Sequence, residues 1–376
     1  MKADPTDGRR ALRVLAVHVQ ETADGVLLTR GAQRLTLKGP GAFEAVQYLF
    51  EQLAPGELDR EAFLARLDEA ARGTFSALLD SLLKRRMLEE VAPETPLHVR
   101  EESPEDIFYW ELGRDGAEVH RAFDRLRLAV VGVNAVSLHL LAALRDSGFQ
   151  QLRIVDAPDL RNLRFFDAAG RLRPDRWPAT ALQPLAEADF EAQWGDGGRP
   201  VCLVATSDFG GRDAMRNWNE RCLDEGVHFL PVGLREGVGS IGPLVVPGET
   251  PCYECARGRE NSNTPDPGAW RAQERTDFDT QLVAGNHPAA PRILADLAAF
   301  ELCRFYAGLG FGPIGRVLTV SLLDMELRAH KLLRLPRCPA CGRFQERARA
   351  ALGRAYRPAF SEGPPASTNA PESDGG

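Results

Sequence analysis

Lysine is almost missing from this chain. Of 46 lysines and arginines, only Lys2, Lys38, Lys84 and Lys331 are lysine, and none lies between Lys84 and Lys331. Chemistry that needs an ammonium group in that long interval is excluded, and arginine is the only replacement cation. Long apolar runs are missing as well. None approaches membrane-spanning length, and the opening MKADPTDGRR has no signal-type apolar core. The chain is therefore expected in the cytosol, where thiols stay reduced. Its seven cysteines then pose a question of metal or catalysis rather than of disulfides. Excess positive charge is missing too: a net charge of −7 argues against general affinity for nucleic acid or anionic membrane. What is present is ordinary for a soluble globular protein, with 44% apolar and 26% charged residues. A chain of 376 residues is long enough for two or three domains.

The chain is organised around residues 126–164. LRLAVVG (126–132) is an apolar strand ending at a glycine, residues 135–147 carry Val136, Leu140, Leu141 and Leu144 at helical spacing, and LRIVD (152–156) is a second buried strand ending in a carboxylate. Strand, tight turn, helix, strand and acid open a nucleotide-binding type of sheet. A further absence marks this unit. Of the three glycines of the phosphate-cradling fingerprint, only Gly132 is present, with Asn134 and Ser137 at the other two places. Asn134 is expected to hold the turn because asparagine tolerates the left-handed conformation. A β-carbon at Asn134 or Ser137, however, obstructs a pyrophosphate or close helix packing. The expectation is a dinucleotide-type α/β fold with an obstructed phosphate cradle.

Before it, residues 12–19, 26–30 and 34–38 read as three short strands, and residues 42–53, 59–67 and 74–87 as three helices. With a closing strand at 88–91 they make a winged-helix-like α+β domain over residues 10–92. Winged helices often bind DNA, but Glu44, Glu51, Glu57, Asp59, Glu61, Asp68 and Glu69 make this one acidic. The run Lys84-Arg85-Arg86 reads as a solvated helix end stabilised by the helix dipole, or else as a ligand contact. Residues 93–125 form a Pro- and acid-rich linker and a lead-in helix. Further along, strands are expected at 201–208 and 227–234, a hairpin-like pair at 239–248, a helix at 289–308, and strands of a late sheet at 317–324 and 327–335. Residues 167–199 show weak periodicity. The tail, 346–376, is expected to be largely disordered.

Four cysteines stand apart. PCYEC holds Cys252 and Cys255, and CPAC holds Cys338 and Cys341. Each pair has knuckle spacing, and two knuckles complete a closed tetrahedral thiolate site for structural zinc. Redox chemistry at one CxxC is the rival reading, and it lacks a thioredoxin-like setting. Cys202, Cys222 and Cys303 lie in apolar patterns and read as core residues.

The order of these features resembles the ThiF-like superfamily of ubiquitin-activating-type adenylating proteins, over residues 126–341. The resemblance implies a Rossmann-type domain (126–345) with the zinc staple. It implies a ribose contact for Asp156, a triphosphate contact in the Asn162–Arg164 stretch, and a magnesium and phosphate role for Asp208. The family's lysine has no counterpart here, and no cysteine nucleophile lies between Cys255 and Cys303. Nucleotide binding at Gly132, Asn134, Asp156, Asn162, Arg164 and Asp208 is then vestigial: ATP is not an expected cofactor and no residue is catalytic. These side chains read equally well as ion pairs and strand-end caps.

The winged-helix-like unit ahead of such a domain resembles the precursor-peptide recognition element of peptide natural-product biosynthesis. The whole chain resembles the ThiF-like partner of a YcaO-type cyclodehydratase, which forms thiazoline and oxazoline rings in ribosomal peptides. That resemblance implies a leader peptide added as a strand beside Gln33, Arg34, Leu35, Thr36, Leu37 and Lys38. Leu78 and Leu82 would form the groove wall, and Lys84 and Arg85 would meet leader acids. The implied partners are the leader peptide, the cyclodehydratase and a second copy in a homodimer. The alternative is an active ATP-dependent adenylating enzyme acting on a peptide carboxylate or amide. An NAD-dependent oxidoreductase and a DNA-binding regulator rest on less.

Overall fold

The computed structural model describes residues 10–91, 102–194, 198–263, 265, 268, 285–310 and 314–344. Of the linker and lead-in helix expected at 93–125, residues 93–101 fall outside them, as does the tail expected at 346–376. The chain divides into two compact units, Met1–Ala117 and Glu118–Gly376.

The first unit contains β1 (Ala11–Val14), β2 (His18–Thr22), β3 (Gly25–Arg30) and β4 (Gln33–Lys38). Helices α1 (Ala42–Leu53), α2 (Arg60–Ala65) and α3 (Glu69–Lys84) follow, then β5 (Leu88–Val91) and α4 (Pro104–Glu111). The single strand expected at 12–19 is two strands in two sheets. β1 pairs antiparallel with β5, and β2, β3 and β4 form an antiparallel meander. The ladder of β1 stops where the Leu15 N–H turns to the Met87 carbonyl. Helix α3 starts five residues before the expected position because Asp68 caps it, its carboxylate accepting from the Ala71 N–H at 2.8 Å. Apolar side chains from every layer close one core, among them Leu12, Leu28, Leu49, Phe63, Leu79 and Leu82, each fully buried.

Helix α3 ends in an unusual way. Arg86 has φ +57°, a left-handed conformation that favours glycine. Its side chain explains the arginine, since Nη1 donates to the Trp110 carbonyl at 2.8 Å while the Trp110 indole donates to the Arg86 carbonyl at 3.0 Å. Helix α4 is held at two more points. Arg30, only 2% exposed, makes a bidentate pair with Glu102 at 2.6 and 2.7 Å and stacks 4.4 Å from the Trp110 ring. Glu111 accepts from the Ala32 N–H in the β3–β4 turn.

The second unit begins with α5 (Gly116–Phe123), which straddles the division. It contains β6 (Arg127–Val131), α6 (Ala135–Asp146), β7 (Gln151–Asp156), β8 (Leu185–Ala186), α7 (Glu187–Gln193), β9 (Cys202–Ser207) and α8 (Arg212–Glu225). Then come β10 (His228–Arg235), β11 (Val238–Ile241), α9 (Tyr253–Asn263), α10 (Ala289–Tyr306), β12 (Arg316–Ser321) and β13 (Glu326–Lys331). The sheet runs β13-β12-β11-β10-β9-β6-β7-β8, parallel from β8 to β10 and antiparallel beyond. Residues of β6 and β9 are buried on both faces, as parallel strands require.

Two expectations change here. The 239–248 pair is one strand, β11, because Pro243 cannot donate to a ladder. The late sheet is the antiparallel edge of the main one, and its last strand stops at Lys331. The weakly patterned 167–199 stretch contains β8 and α7. No helix among the described residues is long and apolar enough to cross a membrane.

Leu79 has no exposed surface, so Leu79→Ala is expected to cost about 2–5 kcal/mol. Urea denaturation, followed by a probe in the N-terminal unit, measures it.

Candidate functional site

At the end of β6 the chain turns through Gly132, with φ +103°. A β-carbon there would meet the Thr206 carbonyl oxygen at 2.6 Å, so the first glycine of the fingerprint is required by the turn itself. The second position behaves differently from expectation. Asn134 is extended, at φ −158° and ψ 179°, rather than left-handed. It caps α6, its Oδ1 accepting from the Ser137 N–H at 3.0 Å while the Asn134 N–H donates to Ser137 Oγ at 3.0 Å. This reciprocal box outcompetes the left-handed turn. The Asn134 amide also donates to Thr206 O and Oγ1 at 2.9 and 3.1 Å. The side chain is fully buried.

The next N–H of the helix is also taken. Ala135 donates to Asp208 Oδ2 at 3.0 Å, and Asn162 Nδ2 donates to Asp208 Oδ1 at 2.8 Å. A helix N-terminus attracts anions, and here the chain supplies its own carboxylate. Burial pushes the Asp208 carboxyl above the usual range, opposed by those two hydrogen bonds and by the nearby charge of Arg164. Arg164 is exposed, and its N–H donates to Asn162 Oδ1 at 2.9 Å.

Asp156, at the end of β7, is held by Arg161: Nε reaches Oδ1 at 2.8 Å and Nη2 reaches Oδ2 at 2.6 Å. The Arg161 guanidinium lies 4.4 Å from the Phe166 ring. The structure thus brings Gly132, Asn134, Asn162 and Asp208 together and gives Asp156 an internal partner. Sequence reasoning missed Arg161. Its position five residues beyond Asp156, beside Asn162, was the available signal.

The four outstanding cysteines converge. Their sulfurs lie within 4.8 Å of one another, with Cys252–Cys255 at 3.9 Å, Cys252–Cys338 at 3.6 Å and Cys255–Cys341 at 3.5 Å. A tetrahedral ion with bonds of about 2.3 Å places sulfurs about 3.8 Å apart. The donor set and the spacing therefore fit a four-coordinate thiolate-bound metal ion. The Leu335 N–H donates to Cys255 Sγ at 3.4 Å, the kind of outer contact that orients a ligand. Arg334 ties the second knuckle to the segment before the first, donating to the Gly248 and Thr250 carbonyls at 2.6 and 3.1 Å. Cys202 and Cys222 are core thiols: burial pushes Cys202 up to about 12 and Cys222 well above the ordinary thiol value, so both stay protonated and inert.

In the N-terminal unit, β4 is an edge of its sheet among the described residues. Gly39 donates to the Asp24 carbonyl across the hairpin. By antiparallel alternation, Gln33, Leu35 and Leu37 then pair with β3, while the backbones of Arg34, Thr36 and Lys38 face outward. The side chains of Gln33, Arg34, Thr36 and Lys38 are exposed, Leu35 is buried and Leu37 half-buried. Beside this edge lies a hollow of about 460 Å³, lined by residues including Leu35, Ser81, Lys84, Arg85 and Trp110. Leu78 and Leu82 are buried in the core and are not exposed beside the edge.

The metal assignment has a direct check. Elemental analysis of the purified protein is expected to find about one ion per chain bound by the four thiolates. Cys252→Ser or Cys341→Ser is expected to lose it and to lower the melting temperature, as is a strong chelator.

Neither a family model nor a curated protein matches the chain. Solved structures do. The heterocyclase TruD is 21% identical with a TM-score of 0.54, over 88% of this chain and 43% of TruD. A heterocyclase in complex with substrate and cofactor is 19% identical with a TM-score of 0.53, over 88% of this chain and 39% of that one. E. coli MccB is 14% identical with a TM-score of 0.59, over 88% of this chain and 96% of MccB. The chain spans less than half the length of these heterocyclases and nearly all of MccB. At such identities the likeness is one of fold: a Rossmann-like α/β architecture shared with MccB.

Proposed function

We propose that this chain is the non-catalytic, leader-binding partner of a YcaO-type cyclodehydratase. In this reading a winged-helix-like recognition domain captures a ribosomal precursor peptide along Gln33–Lys38. The chain then delivers the peptide for thiazoline or oxazoline formation, as a homodimer with structural zinc at Cys252, Cys255, Cys338 and Cys341. One observation carries the proposal. The N–H groups at the start of α6 are met by the chain's own Asn134, Ser137 and Asp208, Asp156 is paired with Arg161, and no lysine lies between Lys84 and Lys331. Phosphoryl chemistry depends on fixed cations around a vacant, positioned seat. The exposed edge of β4 supports the peptide-binding half of the reading. The likeness to heterocyclases, one of them holding substrate and cofactor, supports the biosynthetic setting.

A second reading has its own support. The microcin C7 biosynthetic enzyme MccB, solved in complex with N-formylated MccA, aligns over 99% of its length, and Arg164 and Asp208 stand where the family resemblance implies phosphate contacts. An adenylating enzyme would exchange pyrophosphate with ATP when given its peptide, and Asp208→Ala would stop it.

Fluorescence anisotropy of a labelled cognate leader is expected to show binding to the protein alone, without ATP. Thr36→Pro removes an outward N–H of β4 without touching the β3 pairing, so it should weaken binding about tenfold, equivalent to about 1.4 kcal/mol. Pyrophosphate exchange in the isolated protein would overturn the non-catalytic assignment.

A further inference from the structure

We infer that Arg85 guards the open edge of β4 and makes strand binding conditional on a carboxylate in the incoming peptide. The inference rests on reading β4 as the peptide-binding edge. It goes beyond that reading by assigning Arg85 a contact that must be broken before a strand can dock.

An antiparallel strand laid along β4 takes its hydrogen bonds from the outward residues Arg34, Thr36 and Lys38. The Arg34 carbonyl, one of the acceptors such a strand requires, already accepts from Arg85 Nη1 at 2.9 Å. The contact spans 51 positions of sequence and joins the C-cap of α3 to the edge strand. It is therefore a tertiary closure and not a local turn bond. A neutral peptide that displaces Arg85 replaces a charged donor with an amide N–H and leaves the guanidinium to water. Charged donors make the stronger bonds, so the exchange is unfavourable. A peptide carrying a carboxylate near its residue opposite Arg34 reverses the balance, because the freed guanidinium can then take that carboxylate in a bidentate pair.

The neighbours of Arg85 sharpen the assignment. Arg86 is committed elsewhere, to the Trp110 carbonyl at 2.8 Å and the Trp110 ring at 5.6 Å. Arg85 is exposed and forms no ion pair with a carboxylate among the described residues. Lys84 lines the same hollow but forms no hydrogen bond with the edge among the described residues. Of the three consecutive cations, Arg85 alone is bonded to the edge backbone and still open to an acid. A cation that merely adds positive field attracts acidic peptides and leaves neutral ones unaffected. A guard also obstructs neutral ones, so its removal changes their binding in the opposite sense.

The full-length protein and Arg85→Ala are used separately to select from a displayed library of random peptides of about twelve residues, long enough to cover one strand with its flanks. The leading clones are resynthesised with fluorescein in acidic form and with Glu→Gln or Asp→Asn replacement, and are measured by anisotropy. Wild-type selection is expected to enrich an acid at one position, and its amide replacement to weaken binding about tenfold. Arg85→Ala is expected to bind the amide form at least about threefold more tightly than wild type does and to lose most of the discrimination. Weakening of acidic and amide forms by the same factor in Arg85→Ala, or no acid enrichment, overturns the guard. Clones that bind Thr36→Pro as well as wild type would instead show that β4 is not the docking edge.

Discussion

A helix that starts in the interior must find partners for its first N–H groups. The architecture of the C-terminal unit follows from how α6 meets that demand. In nucleotide-binding sheets of this layout the demand is left open for a phosphate, and glycines keep side chains out of the way. Here Asn134, Ser137 and Asp208 meet it from within. The second-strand acid Asp156 receives Arg161 in the same spirit. In each case a backbone or side-chain group finds its partner within the chain.

The strand-turn-helix-strand core was legible because buried parallel strands read as uninterrupted apolar runs and α6 as a clear stripe. The cysteine knuckles were legible because their spacing is dictated by the ion and not by the surrounding fold. The edge of β4 was expected from the family resemblance and not from the residues themselves. What escaped were outcomes decided by competition between distant groups. Asn134 has a left-handed option on its own, but a capping box with Ser137 and two bonds to Thr206 outweigh it. Arg161 needed the knowledge that residue 156 and residue 161 face each other across a turn. The break between β1 and β2 could not be read from residues 12–19, because the strand that ends β1 lies more than seventy positions later. Leu78 and Leu82 carry the right apolar spacing for a groove wall, and that spacing is equally that of a core stripe.

The metal knuckles illustrate a division of labour. Cys252 and Cys255 stand at the start of α9, Cys338 and Cys341 beyond the last strand of the sheet. One thiolate cluster therefore closes the sequence interval from Cys252 to Cys341. Such closure restricts the unfolded chain more than any local contact does, and Arg334 reinforces it from the backbone side.

The way α4 is fastened determines where the N-terminal unit can be cut. Arg30 is 2% exposed, and the counter-ion described for it, Glu102, comes after β5. Gly31 leaves no room for a β-carbon because the Glu111 carboxylate occupies that place. A graft ending at Val91 would carry every strand and all three preceding helices, yet bury a cation stripped of its carboxylate. Transplanting the β4 edge into another scaffold thus means taking the chain through Glu111, with hairpin and helix exchanged as a single cassette.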